Sequence, residues 1–218
     1  MTQHSTGTGE HATDPMSLLE LDRTVGVVRA SRIADPTGLA RTLAGAGIRW
    51  VEFTFTTPGV LDAIAEAVQE PGVAVGAGTV LTAAQAKDAI AAGAQFLLTP
   101  DLRPEVAAVA REAGTLLVMG ALTPTEISQA VDLGSAAVKI FPSGPLGPGY
   151  LKAIRGPFPG ARLIPTGGVN AGNARAFLEA GAFAVGAGTD VVLPELVERG
   201  EHDGIAERAA AFVKSLRP

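Results

Sequence analysis

A lysine stands in the middle of the apolar run AAVKIFP (136–142), and a glutamate in the middle of WVEFTF (50–55). Burying a charge is costly unless it is paired, so each residue needs a reason beyond packing. Lys139 has two. It can snorkel from a strand end, keeping its head in water. It can also act as a Schiff-base nucleophile, because dry surroundings or a nearby cation favour the neutral amine that attacks a carbonyl. Glu52 can pair internally with Lys139 or Arg29, or serve as a general acid and base beside the imine. Together the two say more than either alone, since two buried charges cost free energy that a purely structural core would avoid. A third feature is the glycine in PTGG (165–168) and GAGT (186–189). Gly167, Gly168, Gly186 and Gly188 would let backbone N–H groups approach an anion such as phosphate, or simply make tight turns. GAGTVL (76–81) lacks the third glycine of a dinucleotide fingerprint.

Positioning these groups requires a scaffold. Eight short apolar runs lie at 25–30, 50–55, 73–80, 95–100, 115–122, 136–142, 162–168 and 183–190. Their lack of alternation predicts strands buried on both faces, as in a parallel sheet. Alanine-rich helical patterns separate them at 35–47, 59–70, 82–93, 103–114, 123–134, 147–160 and 170–181, and a last one fills 204–218. Several open on Asp, Thr or Asn, often followed by proline, and close on glycine, the expected caps. Eight βα units in one chain of 218 residues predict a single-domain α/β TIM (β/α)8 barrel over 16–218, after a flexible tail at 1–15. A doubly wound open sheet is the alternative, but VGVVRASR (25–32) lacks its glycine-rich first turn. In a barrel, chemistry belongs at the C-terminal strand ends, where Arg29, Glu52, Thr54, Thr79, Thr99, Pro100 and Lys139 collect.

Composition narrows the function classes. Hydrophobic residues make up 47% and charged ones 18%, enough for a large core. A net charge of −5 without a basic run argues against nucleic acid as a partner. The absence of cysteine excludes disulfides and thiolate metal sites. No apolar stretch is long enough to span a membrane, and the polar segment MTQHSTGTGEHATDP (1–15) lacks the apolar core of a secretory signal. His4 and His11 lie in that segment and are assigned no metal role.

The segments GIRWVEFTFTTPG, VGAGTVLT, GAQFLLTPDL, AVKIFPSGPLGPGYLKAIRGPFP and LIPTGGVN follow one another in an order and spacing that resembles the KDPG/KHG aldolases. Members cleave 2-keto-3-deoxy-6-phosphogluconate or 4-hydroxy-2-oxoglutarate. The likeness runs from about residue 18 to the C-terminus. It implies a cytoplasmic class I aldolase on a TIM barrel, needing no metal or cofactor, usually a homotrimer, acting on a small 2-keto acid phosphate. It further implies that Lys139 forms the imine and Glu52 shuttles protons. Thr79 would contact the keto acid, Pro100 and Phe141 would line the site, and Gly167, Gly168, Gly188 and Thr189 would hold phosphate. Arg29 matches an arginine that many relatives carry at the end of the first strand. One departure stands out: Thr56 occupies the position where many members have the arginine that binds the pyruvyl carboxylate. A lost bidentate fork is not a conservative change. Hydroxyls near Thr56 and Thr79, or Arg29, must then take over that carboxylate. Galactonate-type relatives also lack the arginine, which leaves the choice of sugar acid open. A phosphosugar isomerase or epimerase using Glu52 as base, and a non-catalytic barrel that binds a phosphorylated metabolite, are the alternatives.

Overall fold

A computed structural model describes residues 14–217. The strands are β1 (Thr24–Val28), β2 (Trp50–Thr54), β3 (Ala74–Gly78), β4 (Phe96–Leu98), β5 (Leu116–Ala121), β6 (Ala137–Ile140), β7 (Leu163–Pro165) and β8 (Val185–Ala187). All pair in parallel, in the order β7-β6-β5-β4-β3-β2-β1-β8. The β7 and β8 edges meet through the Phe183 N–H, which donates to the Leu163 carbonyl at 2.8 Å. On the other side of β8, Arg23 ties the start of β1 to the approach to β8, donating to the carbonyls of Ala182 at 2.7 Å and Phe183 at 3.2 Å. The result is the nearly closed TIM barrel that the sequence predicts.

The helices are α1 (Pro15–Asp22), α2 (Pro36–Gly45), α3 (Val60–Ala67), α4 (Ala83–Ala91), α5 (Pro104–Ala113), α6 (Pro124–Asp132), α7 (Gly147–Arg155), α8 (Ala174–Glu179), α9 (Pro194–Arg199) and α10 (His202–Ser215). Their starts follow local chemistry. The side chains of Asp14, Asp35 and Thr82 accept from Ser17, Gly38 and Gln85 N–H groups, and Thr123 with Glu126 forms a reciprocal capping box. Two helices escape the sequence reading. Helix α1 begins inside the segment expected to be tail, with Asp14 as its cap and Pro15 as its first residue, so the expected boundary moves N-terminal. The rest of that tail, with His4 and His11, lies outside the described residues. Helix α9 intervenes between β8 and α10. The helix expected over 147–160 stops at Arg155, because Gly156 and Pro157 cannot continue it, and the one expected over 170–181 starts only at Ala174. There Asn170 and Asn173 spend their side-chain oxygens on local N–H groups and make a turn instead.

Strand parity sorts the core into two layers. Val28, Val51, Phe53, Val75, Leu97, Leu117, Met119 and Ile140 point outward and pack against the helices. Val25, Trp50, Ala74, Phe96, Leu98, Val118, Ala137, Ile164 and Ala184 fill the lumen, together with Leu18 and Leu19 of α1. The Trp50 and Phe96 rings stack at 3.7 Å with 4° between their planes, forming a floor. One residue pair higher on each strand the lumen changes character. Glu52 and Lys139 occupy inward positions on β2 and β6, four strands apart in a ring of eight and hence diametrically opposite. Inward positions on the strands between them hold glycine: Gly76 and Gly78 on β3, Gly120 on β5 and Gly186 on β8. A Cβ on Gly78 would sit 2.9 Å from the Glu52 carboxyl carbon, and one on Gly120 would sit 2.1 Å from the Pro100 carbonyl. Gly78 thus leaves room for the Glu52 carboxyl, while Gly76, Gly120 and Gly186 make room for Phe96, Pro100 and Thr166.

Candidate active site

The glutamate and lysine meet at the centre of this upper layer. Lys139 Nζ lies 3.4 Å from Glu52 Oε1, with side-chain exposures of 7% and 0%. The pair is only partly satisfied: Glu52 Oε2 is buried and makes no hydrogen bond among the described residues. A buried carboxylate oxygen without a donor is costly. Its neighbour is an amine with donors to spare, so the pair has hydrogen-bonding capacity left for an incoming polar molecule. The snorkelling alternative for Lys139 does not hold, because its amine reaches across the lumen to the carboxylate rather than out to solvent.

The other expected residues surround the mouth. Lys139 Nζ lies 5.5 Å from the centroid of the Phe141 ring, which is partly exposed and roofs one side. That ring also abuts the next turn, since a Cβ on Gly167 would lie 2.8 Å from it. Gly167 and Gly168 have φ of 79° and 81°, a region that favours glycine, and their amides donate to nothing among the described residues. Gly186 belongs to β8 rather than to a turn: a Cβ there would strike Thr166 Oγ1 at 2.6 Å, so packing explains this glycine. Gly188 and Thr189 follow β8, where the Gly188 carbonyl accepts from Val191 and Val192. Pro100 closes β4 against Gly120.

Thr79 is the sharpest backbone anomaly. It follows β3 with φ of 56°, unusual for a β-branched residue. Strain of this kind costs about 1–3 kcal/mol and gathers at functional sites. Arg29 lies one residue past β1 and continues the inward parity of Val25 and Val27; it is exposed and makes no ion pair among the described residues. Thr56 is exposed two residues past β2, with its hydroxyl 2.8 Å from that of Thr54, which bonds the Val28 carbonyl at 3.1 Å. These rim residues make no hydrogen bond to the central pair among the described residues.

Among the described residues, four buried polar ones escape the sequence reading, Thr24, Thr57, Ser143 and Thr166, and the last two lie just past the ends of β6 and β7. Thr166 sits at the end of β7 with inward parity, and strand parity counted from Ile164 would have found it. Ser143, one residue after the Phe141–Pro142 pair, is 2% exposed, and no pattern in the sequence marks it. At the edge of the mouth the Tyr150 hydroxyl donates to the Leu122 carbonyl. Burial, with the nearby Glu126 charge, raises its pKa. Glu126 is held below the usual carboxylate range by N–H donors from Leu122 and Thr123. This pairing braces the β5–α6 loop. No group of three or more His, Asp or Glu side chains among the described residues is arranged to hold a metal ion, and no helix there is long and apolar enough to cross a membrane.

Comparison with known proteins places this geometry. Residues 16–208 match the family described as KDPG and KHG aldolase. The 2-dehydro-3-deoxy-phosphogluconate aldolase of Treponema pallidum is 41% identical over 71% of this chain and 75% of its own. The KHG/KDPG aldolase of Escherichia coli is 32% identical over 94% and 97%. The crystal structure of a KDPG aldolase from Legionella pneumophila, with pyruvate captured as a covalent carbinolamine, superposes with a TM-score of 0.81 at 28% identity, covering 92% of this chain and 98% of that one.

Proposed function

The chain belongs to the KDPG and KHG aldolase family, a family of lyases, and from that premise we propose that it cleaves 2-keto-3-deoxy-6-phosphogluconate, its galactonate epimer or 4-hydroxy-2-oxoglutarate to pyruvate and an aldehyde, through an imine on Lys139. The observation that carries the reading is the buried 3.4 Å approach of Lys139 to Glu52 across the lumen, with one carboxylate oxygen left open.

The Lys139 amine attacks the C2 carbonyl and gives a carbinolamine. Loss of water gives the iminium, an electron sink. The C4 hydroxyl then yields its proton, the C3–C4 bond breaks, and its electron pair forms the enamine while the aldehyde leaves. Protonation at C3 and hydrolysis free pyruvate and the amine. Glu52 lies close enough to Lys139 to accept and return these protons. Phe141, Pro100 and Thr79 shape the walls, and the glycine turns Gly167–Gly168 and Gly188–Thr189 receive the phosphate and align the scissile bond. We extend the proposal to a cytoplasmic location, where sugar phosphates are handled, and to a homotrimer of the family's usual kind.

Borohydride added with pyruvate is expected to leave a reduced pyruvyl adduct on the peptide that contains Lys139. An unmodified peptide would overturn the mechanism, and an isomerase or a passive binder would also leave none. With Thr56 in place of an arginine, the substrate carboxylate falls to Arg29, whose guanidinium is free among the described residues, helped by the Thr54–Thr56 hydroxyls. Arg29→Gln is expected to raise the KM for the keto acid roughly tenfold, the cost of one charge-assisted contact, with kcat nearly unchanged. A KM at the parent value would assign the carboxylate to other donors.

A further inference from the structure

We propose that Ser143 is a positioning residue that ties the imine-forming strand to the phosphate-receiving turn, and so sets how well the enzyme uses a phosphorylated substrate. The inference deepens the aldolase reading and rests on it. Ser143 lies four residues after Lys139 and uses each of its polar groups. Its hydroxyl donates to the Ile140 carbonyl at 2.6 Å and accepts the Thr166 N–H at 3.2 Å. Its own N–H donates to the Thr166 carbonyl at 2.9 Å. Its carbonyl accepts from Leu146 and Gly147 at the entrance to α7. Thr166 immediately precedes Gly167, so the stitch holds the glycine turn at its root.

The next residue continues the seam. The Gly144 N–H donates to the Gly167 carbonyl at 2.7 Å, and a Cβ on Gly144 would lie 2.9 Å from the Gly168 Cα. The loop after β6 therefore lies flat on the turn after β7. The turn's amides stay free for an anion, while the Gly167 carbonyl is spent on the loop and the Gly168 carbonyl on the Asn173 side-chain amide. Removing the Ser143 hydroxyl strands no backbone group, because Thr166 N–H also reaches the Ile140 carbonyl at 2.9 Å. What is lost is the fixed offset between the two strand ends.

The test compares two reactions of one enzyme. Cleavage of 2-keto-3-deoxy-6-phosphogluconate needs the amine, the carboxylate and the phosphate turn. Exchange of pyruvate methyl protons into heavy water needs only the first two. For Ser143→Ala, kcat/KM for cleavage should fall about tenfold, chiefly through KM, the scale expected when a substrate anchor shifts by a fraction of an ångström. Pyruvate exchange should stay within about twofold, with a melting curve confirming the folded state. Gly144→Ala, whose added methyl would press on Gly168 of the same turn, should show the same split. A parallel fall of both reactions, or no change in either, would overturn the positioning role. If the parent enzyme itself fails to exchange pyruvate protons, it is the aldolase reading that falls.

Discussion

Lys139→Met should abolish turnover, lowering kcat/KM for the keto-acid phosphate by roughly 10⁴-fold or more, the scale of deleting a covalent nucleophile. Steady-state cleavage and borohydride trapping should vanish together. The same change should cost stability. Lys139 is the cation nearest to a carboxylate that is fully buried, and stranding one member of a buried pair typically costs about 3–5 kcal/mol. The double variant Lys139→Met/Glu52→Gln separates the two effects. It removes the stranded charge, so chemical denaturation should show much of the lost stability restored while activity stays absent. A double variant no more stable than Lys139→Met would mean that the pair contributes little to the fold.

Glu52→Gln alone should behave differently. The amide keeps the shape of a side chain that packs closely against Gly78. Its loss as a proton shuttle should lower kcat by about 10²–10⁴-fold. The amine remains, so pyruvate should still be trapped by borohydride, only more slowly. A variant that traps nothing would show that the carboxylate is needed to form the carbinolamine itself, and one with parent kcat would remove Glu52 from the chemistry.

Much of this architecture could be read in the sequence, for identifiable reasons. The eight strands announced themselves because a parallel barrel buries both faces, leaving runs such as FLL and AVKI without polar alternation. Lys139 and Glu52 stood out because charge inside such a run has no cheap explanation. The small residues that line the upper lumen around them did not stand out. Gly76, Gly120 and Gly186 look like ordinary glycines until the ring closes and sets them opposite Phe96, Pro100 and Thr166. The same holds for Ser143, whose partners arrive from residues 140 and 166. Helix α1 was missed because a single turn-and-a-half of MSLLEL has weak periodicity, and its reason for existing is the open end of a barrel that only the tertiary fold creates. Where Thr79 adopts its left-handed backbone, no local rule predicts it, because the strain is imposed by neighbouring strand ends.

That helix carries a practical corollary. Leu18 and Leu19 cork the barrel directly beneath the chain's single indole, Trp50, sandwiched on Phe96. The protein thus contains its own optical gauge: emission from that one fluorophore reports whether the bottom of the cylinder is sealed, one storey below the chemistry and independent of it.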